Sequence, residues 1–135
     1  MTDTPPVRQL RLVIQAVDFD AAVAFYRDAL GLPEQAAFQG EDDARVMILG
    51  AGLATLEIAN SAQVAMIDRV EADGSPSARV RVAFEVDDSA RVTDELVEAG
   101  ATLLASPRET PWRSLNSRIE APAGLQVTVF QELEK

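Results

Sequence analysis

Residues 11–32 read RLVIQAVDFDAAVAFYRDALGL, and their periodicity changes in the middle. From Leu10 the chain alternates, with Leu10, Leu12, Ile14 and Ala16 on one face and Arg11, Val13, Gln15 and Val17 on the other, which is strand spacing. Phe19, Val23, Tyr26 and Leu30 then recur at helical spacing. Asp18 or Asp20 can cap that helix, because a short carboxylate accepts from the free amides of a first turn. Gly31 followed by Pro33 ends it. Residues 35–39, 44–49 and 53–59 read as three short strands, with 40–43 and 50–52 as turns. The first half is therefore predicted to run β-α-β-β-β.

At Arg79 the pattern restarts. Val80, Val82, Phe84 and Val86 alternate with Arg79, Arg81, Ala83 and Glu85. Residues 87–89 supply a cap, and Val92, Leu96 and Val97 form a helical stripe that stops at Gly100. Residues 101–105, 114–120 and 125–131 read as strands, the last two joined by a turn at 122–124. A constant offset lays Leu10, Leu12, Ile14 and Asp18 on Val80, Val82, Phe84 and Asp88, while the two helices align one residue out of step. Shared strand parity, cap and helix stop mark an internal repeat. The expectation is one domain over residues 1–135, with repeats at 8–59 and 79–131 and a linker at 60–78. Within the linker, Asn60 and Ser61 start a short helix through Val64, Ile67 and Val70, and residues 73–77 are turn-rich. Residues 1–7 form a polar, proline-bearing lead-in.

At 135 residues the chain suits one domain with its own core, and no apolar run approaches the ~20 residues of a membrane-spanning helix. The N-terminal residues lack the basic and apolar regions of a secretory signal, and cysteine is absent, so a reducing, cytoplasmic setting is expected. The net charge of −10 argues against nucleic acid and anionic membranes as partners, and its simplest role is solubility. Histidine does not occur, and the lone lysine is Lys135. Imidazole bases, serine–histidine triads and Schiff-base chemistry are thereby excluded, leaving proton transfer to carboxylates or to Tyr26.

Several segments together resemble the vicinal oxygen chelate superfamily of glyoxalase I, extradiol dioxygenases, fosfomycin-resistance enzymes and bleomycin-binding proteins. They are residues 17–20, 25–28 with Leu30-Gly31, 56–58, 83–88, Pro111-Trp112 and 122–124. The resemblance covers nearly the whole chain. It implies an α+β fold of two tandem β-α-β-β-β modules forming curved mixed β-sheets around a cleft with helices outside, and it implies a homodimer. Metal-binding members place one ligand on each of four strands, and the matching positions here are Arg11, Glu57, Arg81 and Thr128. Only Glu57 is a carboxylate. Arginine stays protonated and cannot ligate, so the resemblance implies a cleft with no metal and no cofactor.

Arg11 and Arg81 take equivalent places in the two repeats and are expected on the concave face with Glu57. They either form a fork for a ligand carboxylate or phosphate, or are bridged by Glu57 into a plug. Parity adds Val13, Gln15, Thr55, Ala59, Arg79, Ala83, Glu85, Gln126 and Phe130 to that face. Trp112 follows Pro111 in a loop near the cleft and either stacks on a flat ligand or packs the fold. Arg113, Asn116 and Arg118 are read as rim or solvent-facing, and Phe25, Met47 and Met66 as core. Tyr26 is read as helix-to-sheet packing.

Two functions fit. One is a metal-independent small-molecule-binding protein that sequesters a natural product or drug, with Arg11, Glu57, Arg81, Gln15, Thr128, Trp112 and Phe130 touching the ligand. The other is a metal-independent lyase or isomerase acting on a small carboxylate or enolisable substrate, with Glu57 or Glu85 as base. Two flanking arginines are expected to depress the Glu57 pKa and make it a poor base, which favours binding over catalysis.

Overall fold

The computed structural model describes residues 6–133. Residues 1–5 of the lead-in, and Lys135, lie outside the described residues. The first half carries β1 (Gln9–Gln15), α1 (Phe19–Val23) with a π-helical continuation (Ala24–Ala29), β2 (Glu34–Gln39), β3 (Arg45–Ala51) and β4 (Ala54–Ala59). Helix α2 (Ser61–Ala72) leads to the second half: β5 (Val80–Glu85), α3 (Ser89–Glu98), β6 (Thr102–Glu109), β7 (Ser114–Ala121) and β8 (Leu125–Glu132).

Of the two candidate caps, Asp18 is the one used, its carboxylate accepting from the Ala21 amide at 3.0 Å. Asp88 does the same for the Arg91 amide at 3.1 Å and Asn60 for the Gln63 amide at 2.9 Å. Gly31 and Gly100 follow their helices at φ of 89° and 123°, a conformation that favours glycine. Between cap and glycine the first helix has one residue more than the third, and that surplus is absorbed as π-helix, where the Leu30 amide donates to the Phe25 carbonyl. The shifted phase turns Phe25 and Leu30 outward, to 61% and 62% exposure. Phe25 is therefore not core, and it meets Tyr26 edge-on at 5.0 Å between ring centroids.

All eight strands join one mixed sheet in the order β2-β3-β4-β1-β5-β8-β7-β6. Strands β1 and β5 pair antiparallel at its centre with Leu12 opposite Val82, so the two halves are related about that pair. Each of these strands is flanked by a parallel partner, β4 beside β1 and β8 beside β5. Side chains alternate across the sheet as a pleat demands. On the outer face, Phe19 and Val23 pack on Met47, Leu49, Leu56 and Ile58, with Tyr26 against them. Under α3 the matching cluster is Val86, Ile119, Val127 and Val129, joined by Val92 and Leu96.

The inner face is covered differently. Helix α2 touches β3 and β4 in one half and β6 and β7 in the other. Phe38 on β2 and Trp112 after β6 line one and the same cavity, although a flat sheet of this order would hold its edge strands about 33 Å apart. The sheet is curled, and α2 lies across the hollow.

Candidate functional site

Strands β1 and β5 deliver Arg11 and Arg81 to the inner face by the same pleat that sends Leu12 and Val82 outward. Across the first half, Arg11 Nε donates to Thr55 Oγ1 at 3.1 Å, and its Nη1 lies 3.5 Å from Glu57 Oε1. Its guanidinium also stands over the Phe130 ring, 5.6 Å from the centroid. Arg81 is handled otherwise. It is 7% exposed, and its Nη1 donates to Thr128 Oγ1 at 2.8 Å.

Register explains the difference. Val13 pairs with Glu57 and Ala83 pairs with Thr128, so Thr128 occupies in the second half the place of Glu57 in the first. A hydroxyl stands where a carboxylate would neutralise Arg81. Among the described residues Arg81 makes no ion pair.

These residues open onto a cavity of about 530 Å³. Arg11, Glu57, Arg81, Thr128, Trp112 and Phe130 all line it, with Val13 and Ala83 as an apolar floor. Gln15 does not. It lies at the end of β1 beyond the cavity, where its amide donates to Ser61 Oγ at 3.0 Å. Glu85 is likewise engaged outside it, accepting from the Gln9 amide at 2.9 Å. Met66 is part of the cavity wall rather than core, whereas Met47 is buried.

The largest correction concerns Asn116 and Arg118, which face inward and are buried, while Arg113 alone of the three is exposed. Arg118 Nη1 donates to Asp68 at 3.0 Å and Nη2 to Glu71 at 3.0 Å. The other oxygen of Glu71 accepts from the Asn116 amide at 2.6 Å, and Asn116 accepts from Ser114 Oγ at 2.7 Å. The Arg118 Nε alone is buried without a partner among the described residues. This network fastens α2 to β7 and places Glu71 in the cavity wall. Its signal in the sequence is an acid pair three residues apart, which shares one helical face, together with polar residues at every second position of β7. The link between them is a matter of tertiary path.

Burial is the main influence on Glu57, and it raises the carboxyl above its ordinary value of 4.5. Arg81 and Arg11 pull the other way, and the negative charge of Glu71 adds to the rise. The expected depression by two arginines is thus reversed. Neither guanidinium makes a close bidentate bond to the carboxylate, so attraction falls short of the desolvation it would have to offset.

A model of the glyoxalase-like domain matches residues 11–130. The chain belongs to the glyoxalase-like domain family. Solved structures share its fold. Methylmalonyl-CoA epimerase from Mycobacterium tuberculosis is 19% identical, covers 99% of this chain and 94% of its own, and superposes with a TM-score of 0.68. A single-residue variant of Streptomyces coelicolor methylmalonyl-CoA epimerase, in complex with 2-nitronate-propionyl-CoA, is 18% identical over 96% and 100% with a TM-score of 0.67. A glyoxalase/bleomycin resistance protein/dioxygenase superfamily member from Vibrio splendidus 12B01 is 12% identical over 92% and 98% with a TM-score of 0.65. At these identities the likeness is one of fold. A comparison with curated protein sequences finds no match.

In this glyoxalase-like domain the four positions that the superfamily resemblance assigns to metal ligands do converge on one cavity. Their side chains do not fit a divalent ion. Two are guanidinium groups, which repel it, and Thr128 already accepts a hydrogen bond from one of them. Among the described residues no three carboxylates are grouped to hold a metal elsewhere.

Proposed function

We propose that this glyoxalase-like protein is a metal-independent small-molecule-binding protein whose cavity takes an organic anion against Arg81. The observation that carries this reading is a buried guanidinium facing a cavity, bonded to a hydroxyl and, among the described residues, in no direct ion pair. A buried charge without a direct ion pair is costly, so a ligand anion that supplies one gains free energy that no solvent-exposed arginine could offer. The cavity size suits a small organic molecule, and its mix of apolar floor and few polar groups is that of a ligand site. Sequestration of a natural product or drug is the form this function takes. The test is thermal unfolding of the wild type and of Arg81→Ala against a panel of small carboxylates, since a ligand selective for the folded state raises its apparent stability. Stabilisation that disappears in Arg81→Ala supports the reading, and equal stabilisation of both proteins sinks it.

A second reading, a metal-independent lyase or isomerase, is favoured by Glu57. A shielded carboxylate with a raised pKa is a better proton acceptor than one locked between arginines. Glu57 would take the α-proton of an enolisable acid while Arg81 holds the developing negative charge. The isomerases named among the structural neighbours lend this reading weight. Exchange of a substrate α-proton for solvent deuterium, lost in Glu57→Gln, distinguishes it from sequestration.

We further propose a homodimer. The edge strands β2 and β6 carry exposed Phe38, Leu103 and Leu104, and unpaired edges with apolar side chains invite a partner. Sedimentation velocity at micromolar concentration checks it, a monomeric mass being the contrary result.

A further inference from the structure

Many anions could answer the charge of Arg81, and the geometry of its guanidinium narrows the choice. Of its three nitrogens, only Nη1 is engaged, by Thr128. Nε and Nη2 make no hydrogen bond among the described residues, yet neither is sealed from solvent, because the only buried nitrogen without a partner among them belongs to Arg118. Arg81 lines the cavity, and this unbonded edge is the part of its guanidinium left for a ligand there. Nε–H and Nη2–H run parallel in one plane, which is the geometry that grips both oxygens of a carboxylate.

What surrounds the edge is equally selective. Val13 lies directly across the strand pair from Arg81, and with Ala83 and Phe130 it forms a buried apolar patch. Phe130 is held in turn by the Arg11 guanidinium on its ring. A carbon skeleton attached to the bound carboxylate would rest on this patch. Glu57, Glu71 and Glu132 supply the acidic part of the remaining lining. A second anionic group on the ligand would therefore meet carboxylates rather than a free cation. Arg11 is in direct ion pair with Glu57, which also feels Arg81, and Arg118 has Asp68 and Glu71.

We infer that the cavity takes a planar monocarboxylate bound side-on to Nε and Nη2 of Arg81, its apolar or aromatic body lying on Val13, Ala83 and Phe130. This rests on the anion reading of the same cavity and is narrower than it. A tetrahedral phosphonate fits the planar fork less well and carries extra charge toward the acidic wall. A dicarboxylate places its second group against that wall.

Phenylacetate, phenylphosphonate, phthalate and the neutral phenylacetamide are the probes, titrated by calorimetry against wild type, Arg81→Ala, Arg81→Gln and Arg81→Lys. Phenylacetate is expected to bind wild type at least about tenfold more tightly than the other three, since hydrogen bonds to charged groups are worth that factor or more. Arg81→Lys keeps the charge and loses the fork, so it is expected to weaken phenylacetate about as much as Arg81→Gln. Arg81→Gln also stands in for Arg81→Ala should the smaller side chain unfold the protein, a point that circular dichroism reports directly. If phenylphosphonate binds as tightly as phenylacetate, or Arg81→Lys retains wild-type affinity, the side-on monocarboxylate is overturned while the anion reading stands. If Arg81→Gln binds phenylacetate as wild type does, both fall. No binding of phenylacetate to wild type overturns the monocarboxylate assignment.

Discussion

Thr128 stands 2.8 Å from Arg81 at the place in the second half of the sheet that Glu57 takes in the first. The two halves share strand order and pleat, so this departure from the repeat decides which arginine makes a direct ion pair. Arg11 pairs directly with Glu57, whereas Arg81 feels that carboxylate only beyond ion-pair distance.

Restoring the repeat with Thr128→Glu places a carboxylate directly beside Arg81. The new carboxylate is expected to weaken carboxylate binding about tenfold or more, by occupying the guanidinium and repelling the ligand. Folding stability should change by only about 1 kcal/mol, because the attraction of a buried ion pair is largely offset by desolvation. Urea unfolding with parallel titrations separates the two effects, and undiminished binding would contradict the role given to Arg81.

Glu57 makes stability depend on pH in a stated direction. Its folded-state pKa is raised, so the native state holds the proton more tightly than the unfolded chain does. The stabilisation is complete below the ordinary value of 4.5 and is lost as the pH climbs through the folded value. Glu57→Gln cannot titrate. The stability of wild type relative to this variant should therefore fall as pH rises from about 4.5, and a flat or rising difference in urea unfolding series would show that the arginines dominate after all.

Arg118 is the largest of the fully buried side chains and pairs two acids on α2. Arg118→Met leaves Asp68 and Glu71 without their cation, and a loss of about 3–5 kcal/mol is expected. The triple variant Arg118→Met, Asp68→Asn, Glu71→Gln should recover most of that loss. Chemical denaturation of the two proteins checks it, and a single variant as stable as wild type would mean that the network contributes little.

The donor set at Arg11, Glu57, Arg81 and Thr128 predicts indifference to chelators. Thermal unfolding before and after exhaustive dialysis against EDTA should give the same midpoint, and elemental analysis should find no stoichiometric transition metal. A midpoint that drops on chelation and returns with one added metal would reverse this.

Much of the molecule is legible in its residues because its logic is local. A period of two assigns faces to Arg11 and Arg81, an aspartate marks the start of α1 and of α3 and an asparagine that of α2, and the offset between repeats pairs the halves. Even the one-residue mismatch of the helices has a local outcome, the π-helical turn that exposes Phe25 and Leu30. What tertiary structure alone decided is which groups share a low-dielectric space. Arg118 meets Asp68 and Glu71 across 50 and 47 residues of chain, only because α2 crosses the curled sheet to β7. Gln15 has the right parity and still misses the cavity, since β1 ends beside the start of α2. The sign of the Glu57 shift depends on a balance between burial and two imperfectly placed cations, and no spacing along the chain encodes that balance. The sequence determines the faces. The path of α2 determines the environment in which their charges act.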